Sequence, residues 1–309
     1  MTRPRILCIG AAAVDRKYRA LARLEPDTSN PVRSERSAGG VARNVAENLA
    51  RLGVPTAFAS LVGEDDNGRF LMDGLAALGV DVSGIARTPD HPTAEYVAVL
   101  QPAGTLAYGL ADMAIFEAIA PAFLDRLNLG TEWVFADCNL PAGVLERLVG
   151  LSRAMPFRLA VDAVSTAKVR RLPADLSGID CLFLNTAEAA AQLGASLPPE
   201  EAARRLLAQG AASVVLTLGQ EGLLCADRTG LHPVPAQACA VADVTGAGDS
   251  LVAATLARLI AGDPLAEAAR AGTAAAALTI ASTASVRPDL SPELLRRAME
   301  PSASTSVTP

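Results

Sequence analysis

Strand-length apolar runs alternate with helical patterns along most of this 309-residue chain. The runs are continuously apolar, as expected for parallel strands that are buried on both faces. They lie at residues 6–11, 56–62, 133–136, 158–161, 181–184 and 213–218. The helical patterns lie at residues 41–52, 68–78, 144–151, 199–208, 250–260 and 265–280. This order predicts an α/β fold in which helices cover both faces of a mostly parallel sheet.

The length of the chain allows one large α/β domain or one domain with an appendage. We expect a single domain over residues 1–300, followed by a disordered Ser/Thr/Pro-rich tail at residues 301–309. The formal net charge of −6 argues against nucleic acid or an anionic membrane as a partner. The five cysteines form no C-x-x-C pair, which favours reduced thiols. The sequence also has no cluster of His and Cys residues of the kind that binds zinc. Because the N-terminal apolar run is too short to span a membrane and lacks a signal-peptide cleavage pattern, we expect a cytoplasmic protein.

Two segments interrupt the alternation and predict a small accessory structure. Residues 16–37 are polar and contain the turn signal Asp27-Thr28-Ser29-Asn30-Pro31. Residues 93–110 alternate in polarity and are split by Pro102-Ala103-Gly104, which is typical of a hairpin connection. We expect both segments to form strands of a lid above the carboxyl ends of the main strands, where open α/β sheets bind ligands. The alternative is a pair of ordinary connecting loops.

The most specific local motif is the heptad Asp-Val-Thr-Gly-Ala-Gly-Asp at residues 243–249, directly before a helical pattern. The turn Gly246-Ala247-Gly248 would expose consecutive N–H groups at a helix N-terminus, where the helix dipole favours phosphate. Phosphate repels the carboxylate of Asp249, so this side chain is better suited to accept the proton of an attacking hydroxyl. The alternative is a glycine-rich turn in which the helix dipole alone favours Asp249.

Two stretches in the first part of the chain have the chemistry of a sugar site. Gly39 and Gly40 open a helix one turn before Asn44, which suits close backbone approach and an amide contact to a polyhydroxyl ligand. The alternative is a glycine pair that merely allows a tight entry turn. Asp15 follows the first strand and can accept two sugar hydroxyls, or can simply form a turn.

Two later stretches follow strands and suit a nucleotide. Asn185 and Glu188 share one side of a helix's first turn, where Glu188 could hold a hydrated Mg²⁺ ion. The same pair can form a capping box, and the two roles do not exclude each other. Thr217, Gly219 and Gly222 could place backbone against a nucleotide, or could form a plain β-turn.

In this order, the five motifs resemble the ribokinase-type (PfkB) family of carbohydrate and nucleoside kinases over about residues 5–290. The resemblance implies a three-layer α/β/α fold with a mostly parallel central sheet and a small β lid. Within the family, the likeness is strongest to enzymes that act on pseudouridine, through residues 28–31, 39–50, 136–139 and 288–291. The implied reaction is ATP-dependent phosphorylation of the ribose 5′-hydroxyl of pseudouridine.

Three alternatives to this reaction remain. The acceptor could be another nucleoside or a free sugar such as ribose. A non-catalytic nucleoside sensor fits less well, because a sensor needs neither Asp249 nor Glu188. A dinucleotide-dependent enzyme is disfavoured, because no G-x-G-x-x-G follows the first strand.

The resemblance also implies a role for each matching residue. The catalytic base and anion hole are implied to be Asp249 with Gly246, Ala247 and Gly248. The implied substrate contacts are Asp15, Gly39, Gly40, Asn44 and Asn139, with Ser29, Asn30 and Thr93 of the lid reading the base. The implied ATP contacts are Asn185, Thr217, Gly219 and Gly222, with the helix near Thr273 beside the adenine. The implied cation ligands are Glu188 for Mg²⁺ through water, and Asp243 and Thr245 for a monovalent cation such as K⁺.

The partners expected from the resemblance are therefore a small-molecule acceptor and ATP. The partly apolar strand at residues 96–100 could also pair with its copy, which predicts a homodimer through the lid. One departure affects the acceptor: many family members carry Asn where this chain has Ala13, so one sugar contact is lost or supplied from elsewhere.

Overall fold

The computed structural model describes residues 3–300, and residues 301–309, for which we expect disorder, lie outside this range. The strands are β1 Ile6–Ile9, β2 Ala13–Ala20, β3 Val32–Gly39, β4 Thr56–Ala59, β5 Leu61–Gly63, β6 Ala86–Thr88, β7 Glu95–Leu100, β8 Leu106–Asp112, β9 Trp133–Asp137, β10 Arg158–Asp162, β11 Cys181–Asn185, β12 Ser213–Thr217, β13 Leu223–Asp227 and β14 Gly230–Val234. The α-helices are α1 Val41–Arg51, α2 Asp66–Ala76, α3 Ala142–Ser152, α4 Thr186–Leu193, α5 Pro199–Ala208, α6 Ala247–Ala261, α7 Leu265–Ile280 and α8 Pro292–Met299.

The main sheet has eight strands in the order β14-β13-β12-β11-β10-β9-β1-β4. The six strands from β12 to β4 in this order are parallel, whereas β13 and β14 pair antiparallel at one edge. All six apolar runs that the sequence indicates contribute a strand to the parallel part. The run at residues 56–62 divides into β4 and β5, because the chain turns at buried Ser60, whose hydroxyl donates to the Gly10 carbonyl at 2.6 Å.

Helices cover both faces of this sheet, which confirms the α/β fold. In β1, Leu7 and Ile9 point into one apolar layer, and Ile6 and Cys8 point into the other, as the two-residue period of a strand requires. Helices α3, α4 and α5 pack on the first layer. Helices α1, α2, α6 and α7 pack on the second. The result is the three-layer architecture that the sequence predicts.

Helix α1 is held at its N-terminus by a residue far away in the sequence. Gly40, at the N-cap, has φ of 97°, and a Cβ at this position would collide with the Ala11 carbonyl. No local side chain caps the helix. Instead, the Asp137 carboxylate, at the end of β9, accepts from the backbone N–H groups of Ala42 at 2.8 Å and Ala11 at 3.0 Å. This contact fixes the glycine pair against the carboxyl ends of β1 and β9.

A separate four-stranded sheet has the order β3-β2-β7-β8. It contains the strands of both interrupting segments, 16–37 and 93–110, and it continues from the carboxyl end of β1. One of its faces has Asp15 and Lys17, and the other has Val97, Val99 and Tyr108. We call this element the lid sheet. No α-helix within residues 3–300 is long and apolar enough to cross a membrane.

Candidate active site

The N-terminus of α6 has the form of an anion site. Gly246 has φ of 79°, and a Cβ at this position would collide with the Ser285 carbonyl, so only glycine fits. The Ala247 N–H donates to the Val244 carbonyl at 3.3 Å. In contrast, the N–H groups of Gly248 and Asp249 have no acceptor within the described chain. Because α6 is 15 residues long and has no side-chain cap, these free donors and the helix dipole fit a phosphate group.

Asp249 lies in the first turn of α6 and contacts the helix of the glycine pair. Its Oδ2 accepts a hydrogen bond of 2.7 Å from Nδ2 of Asn44, which is 205 positions away in the sequence. Burial raises the pKa of the Asp249 carboxyl to about 7. The hydrogen bond from Asn44 lowers this pKa, and the negative charge of Asp137 raises it. A carboxyl group that titrates near neutral pH is suited to accept a proton in the working range of most enzymes.

Asp15 lies on the face of the lid sheet that adjoins this contact. A Cβ on Gly39 would collide with the Asp15 carboxylate, so the glycine leaves room for that side chain. Burial raises the pKa of Asp15, and the positive charges of Lys17 and Arg43 oppose the shift. The negative charge of Asp15 in turn raises the pKa of Asp249. The fold therefore brings Asp15, Asn44 and Asp249 to one site from three separate elements.

Of these three residues, Asp15 lines a cavity of about 480 Å³ between the lid sheet and the loop before α6, whereas Asn44 and Asp249 are not part of its wall. The cavity wall includes Asp15 and Arg43 from the sugar-site side and Thr245 from the heptad. Residues 283–286 close the opposite side. The volume falls within the range of small-molecule sites in proteins.

Asn139 lies at the end of β9, beside the same region. Its backbone N–H donates to Oδ1 of Asp137 at 2.9 Å, and its side-chain oxygen accepts a hydrogen bond from Nζ of Lys168. The Arg171 guanidinium donates to the Asn139 carbonyl at 2.7 Å. Burial lowers the pKa of Lys168, and the Asp137 charge opposes this shift. No local motif marks Lys168, so its contact with Asn139 could not be predicted from the sequence.

The pair Asn185 and Glu188 forms the capping box that the sequence allows. Oδ1 of Asn185 accepts from the Glu188 N–H at 2.9 Å, and Oε2 of Glu188 accepts from the Asn185 N–H at 2.8 Å. Burial raises the pKa of Glu188, and the hydrogen bonds from Asn185 oppose the shift. Oε1 of Glu188 has no hydrogen-bond partner among residues 3–300. This free oxygen fits a hydrated Mg²⁺ ion, which needs only one or two carboxylates besides phosphate oxygens.

The turn after β12 is closed by its own backbone. The Leu218 N–H donates to the Gly222 carbonyl at 2.8 Å. Gly222 has φ of 100°, and a Cβ there would collide with the Val234 carbonyl, so packing alone requires this glycine. Gly219 also has a positive φ, of 64°, but its Cβ position faces open space. Thr217 lies half-buried at the end of β12. Of the two glycines, only Gly219 is therefore free to approach a ligand.

Asp243 and Thr245 form a local turn in the heptad. Oδ1 of Asp243 accepts from the Thr245 N–H at 2.9 Å and from its hydroxyl at 2.7 Å, and these bonds lower the pKa of the carboxyl. Oδ2 of Asp243 lies 3.5 Å from Nζ of Lys17 on the lid sheet. Within the described residues, no cluster of three or more His, Cys, Asp or Glu side chains is arranged to hold a metal ion. A cation at this turn would need backbone carbonyl ligands as well.

Two threonines assigned from the sequence have structural contacts. Thr93 is 2% exposed, donates to Oδ1 of Asp65 at 2.7 Å and accepts from the Gly63 N–H at 2.8 Å. Since Asp65 caps α2, these contacts hold that helix, and they occupy the hydroxyl for which the resemblance implies a contact to the base. Thr273 is buried in α7, and its hydroxyl donates to the Arg270 carbonyl at 2.9 Å.

The remaining lid residues lie in the connection between β2 and β3. Ser29 is exposed there. The Asn30 side chain accepts from the Glu25 N–H at 2.9 Å and donates to the carbonyls of Glu25 and Thr28 at 2.8 and 3.1 Å. Asn30 therefore shapes the loop, and of this pair only Ser29 has a side chain that is free of such contacts within the described chain.

Comparison with protein-family models shows that residues 3–291 match the model described as pfkB family carbohydrate kinase. The chain is 29% identical to a pseudouridine kinase from Escherichia coli strain K12 over 297 residues, which cover 93% of each protein. It is 32% identical to a guanosine-inosine kinase from Exiguobacterium acetylicum over 302 residues, covering 94% of this chain and 98% of that protein.

Solved structures show the same fold. A carbohydrate kinase from Agrobacterium tumefaciens superposes with a TM-score of 0.85 at 30% identity, covering 96% of this chain and 97% of its own. The Arabidopsis thaliana ribokinase, solved with ribose and ATP, gives a TM-score of 0.80 at 20% identity, with coverage of 97% and 99%.

Proposed function

The chain belongs to the pfkB family of carbohydrate kinases and is a kinase of sugars or nucleosides, and on this premise we propose that its acceptor is pseudouridine. The proposed reaction transfers the γ-phosphoryl group of ATP to the ribose 5′-hydroxyl, giving pseudouridine 5′-phosphate and ADP. The observation that carries this proposal is the 2.7 Å contact between Asn44 and Asp249, which joins the sugar-site helix to the anion-binding turn. The 29% identity to a pseudouridine kinase supports the choice of acceptor.

In the proposed mechanism, Asp15 and Asn44 bind the ribose hydroxyls and point the primary alcohol at the γ-phosphate. Asp249 orients this alcohol and accepts its proton. The free N–H groups of Gly248 and Asp249, at the anion hole formed by residues 246–248, stabilise charge on the transferred group. Because phosphoryl transition states are mostly loose, the positions of these groups contribute more than the basicity of the carboxylate.

ATP lies along the carboxyl ends of β11 and β12 in this proposal. Asn185, Thr217 and Gly219 contact the nucleotide, with the α7 backbone near Thr273 beside the adenine, and Gly222 is retained for the packing of the turn. A hydrated Mg²⁺ ion held by Glu188 would neutralise charge on the phosphate oxygens.

The heptad also provides a site for a monovalent cation in this proposal. Asp243 and Thr245 would contribute to binding K⁺, and the loop at residues 283–286, which lines a cavity together with Thr245, would supply carbonyl ligands. The Lys17 ammonium, 3.5 Å from Asp243, would compete with this ion for the carboxylate.

The lid sheet completes the site and the assembly in this proposal. Closure of residues 16–37 and 93–110 over the acceptor excludes water, and Ser29, with the loop that Asn30 shapes, reads the base. The strand at residues 96–100 cannot pair with its copy as the sequence predicts, because β7 lies between β2 and β8 and has no free edge. Instead, the outward face of the lid sheet, with exposed Tyr108 and Leu110, packs against a second copy to form a homodimer.

Four of the five free cysteines are buried, which is compatible with the reducing cytoplasm.

A purine nucleoside is the second candidate acceptor. The 32% identity to a guanosine-inosine kinase supports it. Ala13 stands where many family members have Asn. This difference changes one contact to the sugar and does not itself select between a pyrimidine and a purine base.

An acceptor panel with purified protein tests the proposal. ATP consumption is measured with pseudouridine, uridine, adenosine, guanosine, inosine, ribose and fructose, with and without K⁺. We expect kcat/KM to be highest for pseudouridine. A tenfold preference for any other acceptor would contradict pseudouridine specificity and leave the kinase assignment intact. Binding of a nucleoside without ATP turnover on any acceptor would favour a sensor.

A further inference from the structure

The amide of Asn44 is held from behind by its neighbour in α1. NH1 of Arg43 donates to Oδ1 of Asn44 at 2.9 Å. A guanidinium has only hydrogen-bond donors, so the atom that faces it must be the amide oxygen. The amide nitrogen of Asn44 then necessarily faces Asp249, to which it donates at 2.7 Å. Arg43 therefore determines which end of the amide the carboxylate meets.

Arg43 is itself held by an acidic residue one turn further along α1. NH2 of Arg43 donates to Oε2 of Glu47. The other oxygen of Glu47, Oε1, accepts from NH2 of Arg51 at 2.6 Å and from Nε of Arg51 at 2.8 Å. NH1 of Arg51 in turn donates to the Pro288 carbonyl. The spacing of four residues aligns the three charged side chains on one side of the helix. Arg43 and Glu47 are only 5% and 6% exposed.

A buried ion pair of this kind requires an explanation other than stability. Removing two charges from water costs several kcal/mol per ion, and their attraction often only offsets this cost. Burial lowers the pKa of Arg43, and the charge and hydrogen bond of Glu47 oppose the shift. Nε of Arg43 has no hydrogen-bond partner among residues 3–300, which adds to the free-energy cost of burying this guanidinium.

We propose that Arg43 and Glu47 form a positioning pair that acts through Asn44 to hold the carboxylate of Asp249 ionised and directed at the acceptor alcohol. Neither side chain touches the reacting atoms in this role. The inference rests on the proposed function of Asp249 as the base.

The charges around Asp249 show why a fixed amide matters. Asp137 and Asp15 raise the pKa of Asp249, and the charge of Asp249 in turn raises the pKa of buried Asp162. The Asn44 hydrogen bond and the positive charge of Arg43 oppose burial and this repulsion. Without Arg43, the Asn44 amide is free to turn its oxygen toward position 249, where it would accept a hydrogen bond from the neutral acid. The pair thus selects the ionised form of the base.

A double-mutant cycle tests the inference with whichever acceptor the wild type phosphorylates. Arg43→Met is expected to lower kcat by about tenfold or more, as misorientation of a catalytic group does, with the KM for ATP unchanged. In the background of Asn44→Ala, the same change should cost clearly less than it does in the wild type, because only the direct effect of the Arg43 charge on Asp249 remains. A multiplicative loss in the double variant would overturn the proposal.

Glu47→Gln, which keeps the side-chain volume, serves as the second variant if Arg43→Met does not fold. It is expected to reduce kcat less than Arg43→Met does, because an amide holds the guanidinium more weakly than a carboxylate. Loss of the Glu47 charge leaves the charge of Arg43 uncompensated, so the acid limb of kcat/KM should not move to higher pH. A kcat equal to that of the wild type would contradict the proposal. The matched control is Glu201→Gln, which breaks the exposed i,i+4 pair with Arg205 on α5 and should change neither quantity.

A readout without turnover separates this inference from the proposed function. The pKa of the Asp249 carboxyl is followed by NMR on protein labelled with ¹³C-aspartate, and Asp249→Asn assigns the resonance. We expect this pKa to be higher by about one pH unit in Arg43→Met than in the wild type. An unchanged value would overturn the positioning role, even if no acceptor of the panel is phosphorylated.

Discussion

Position 249 combines two properties that oppose each other. The carboxyl group is packed among other acids, which favours its neutral form, and it accepts a hydrogen bond from Asn44, which favours its charged form. The balance leaves its pKa at about 7. The protonation state of this one side chain is therefore expected to control both activity and stability near neutral pH.

Activity should increase with pH as Asp249 ionises. Since only the carboxylate accepts a proton, kcat/KM for the acceptor at saturating ATP should fall on the acid side of an apparent pKa near 7. Initial rates between pH 5 and 9 measure this limb. A profile that is flat down to pH 5 would show that a group with an ordinary carboxyl pKa, or none, limits the reaction.

Stability should change with pH in the opposite sense. The pKa of Asp249 is raised from 3.8 in the unfolded chain to about 7 in the folded protein, so the folded state binds more protons between these values. The penalty for the buried charge is absent below about pH 4 and fully developed above about pH 7. Asp249→Asn removes it and should stabilise the protein by up to about 4 kcal/mol at pH 8 and by nothing at pH 3.5. Chemical unfolding of both proteins at the two pH values measures the difference; an equal effect at both would contradict the raised pKa.

At the scale of elements, the two glycines of the α6 turn have different tasks. Gly246 has a positive φ and no room for a Cβ, whereas Gly248 lies within the helix beside open space. Gly246→Ala should therefore cost several kcal/mol of unfolding free energy, because it combines backbone strain with a collision.

Gly248→Val is the matched change at the second glycine. It should leave the melting temperature within a few degrees of wild type and raise the KM for ATP at least tenfold, since the new side chain occupies the proposed phosphate site. Thermal melts and ATP kinetics of the two variants decide the case. Equal loss of stability in both would show that the turn is merely structural.

Local patterns predicted most elements and only part of the site. Buried parallel strands such as β9 and β11 are continuously apolar, so they stand out in the sequence. The hairpin of β13 and β14 was missed, because β14 is a short edge strand that contains Pro233. The contact between Lys168 and Asn139, like the Asp137 cap of α1, joins single residues that only the fold brings together. No local rule marks such pairs.

At the scale of the whole molecule, the lid sheet links the acceptor site to the proposed dimer. Its inner face carries Asp15, and its outer face exposes Tyr108 and Leu110 at 65% and 59%. Exposed apolar side chains on one sheet face are typical of an interaction surface.

Assembly can be tested with a charge on that outer face. The wild type should have a solution mass of twice 31.7 kDa, and Tyr108→Glu should reduce it to that of the monomer by burying a charge in the interface. Light scattering after size-exclusion chromatography measures the mass. Arg205→Glu on α5, which packs against β12 and β13, is the control and should leave the mass unchanged. A monomeric wild type, or a dimer that survives the change at Tyr108, would contradict assembly through the lid.

Phosphoryl transfer by the Asp249→Asn variant tests the central claim most directly. Substrate affinities should stay close to those of the wild type, because the amide has the same size and the phosphate donors are unchanged. The measurement is kcat for ATP-dependent formation of pseudouridine 5′-phosphate by the two proteins, and the account predicts a loss on the order of 10²–10⁴. A kcat within tenfold of the wild type would remove Asp249 from the role of base and contradict the account.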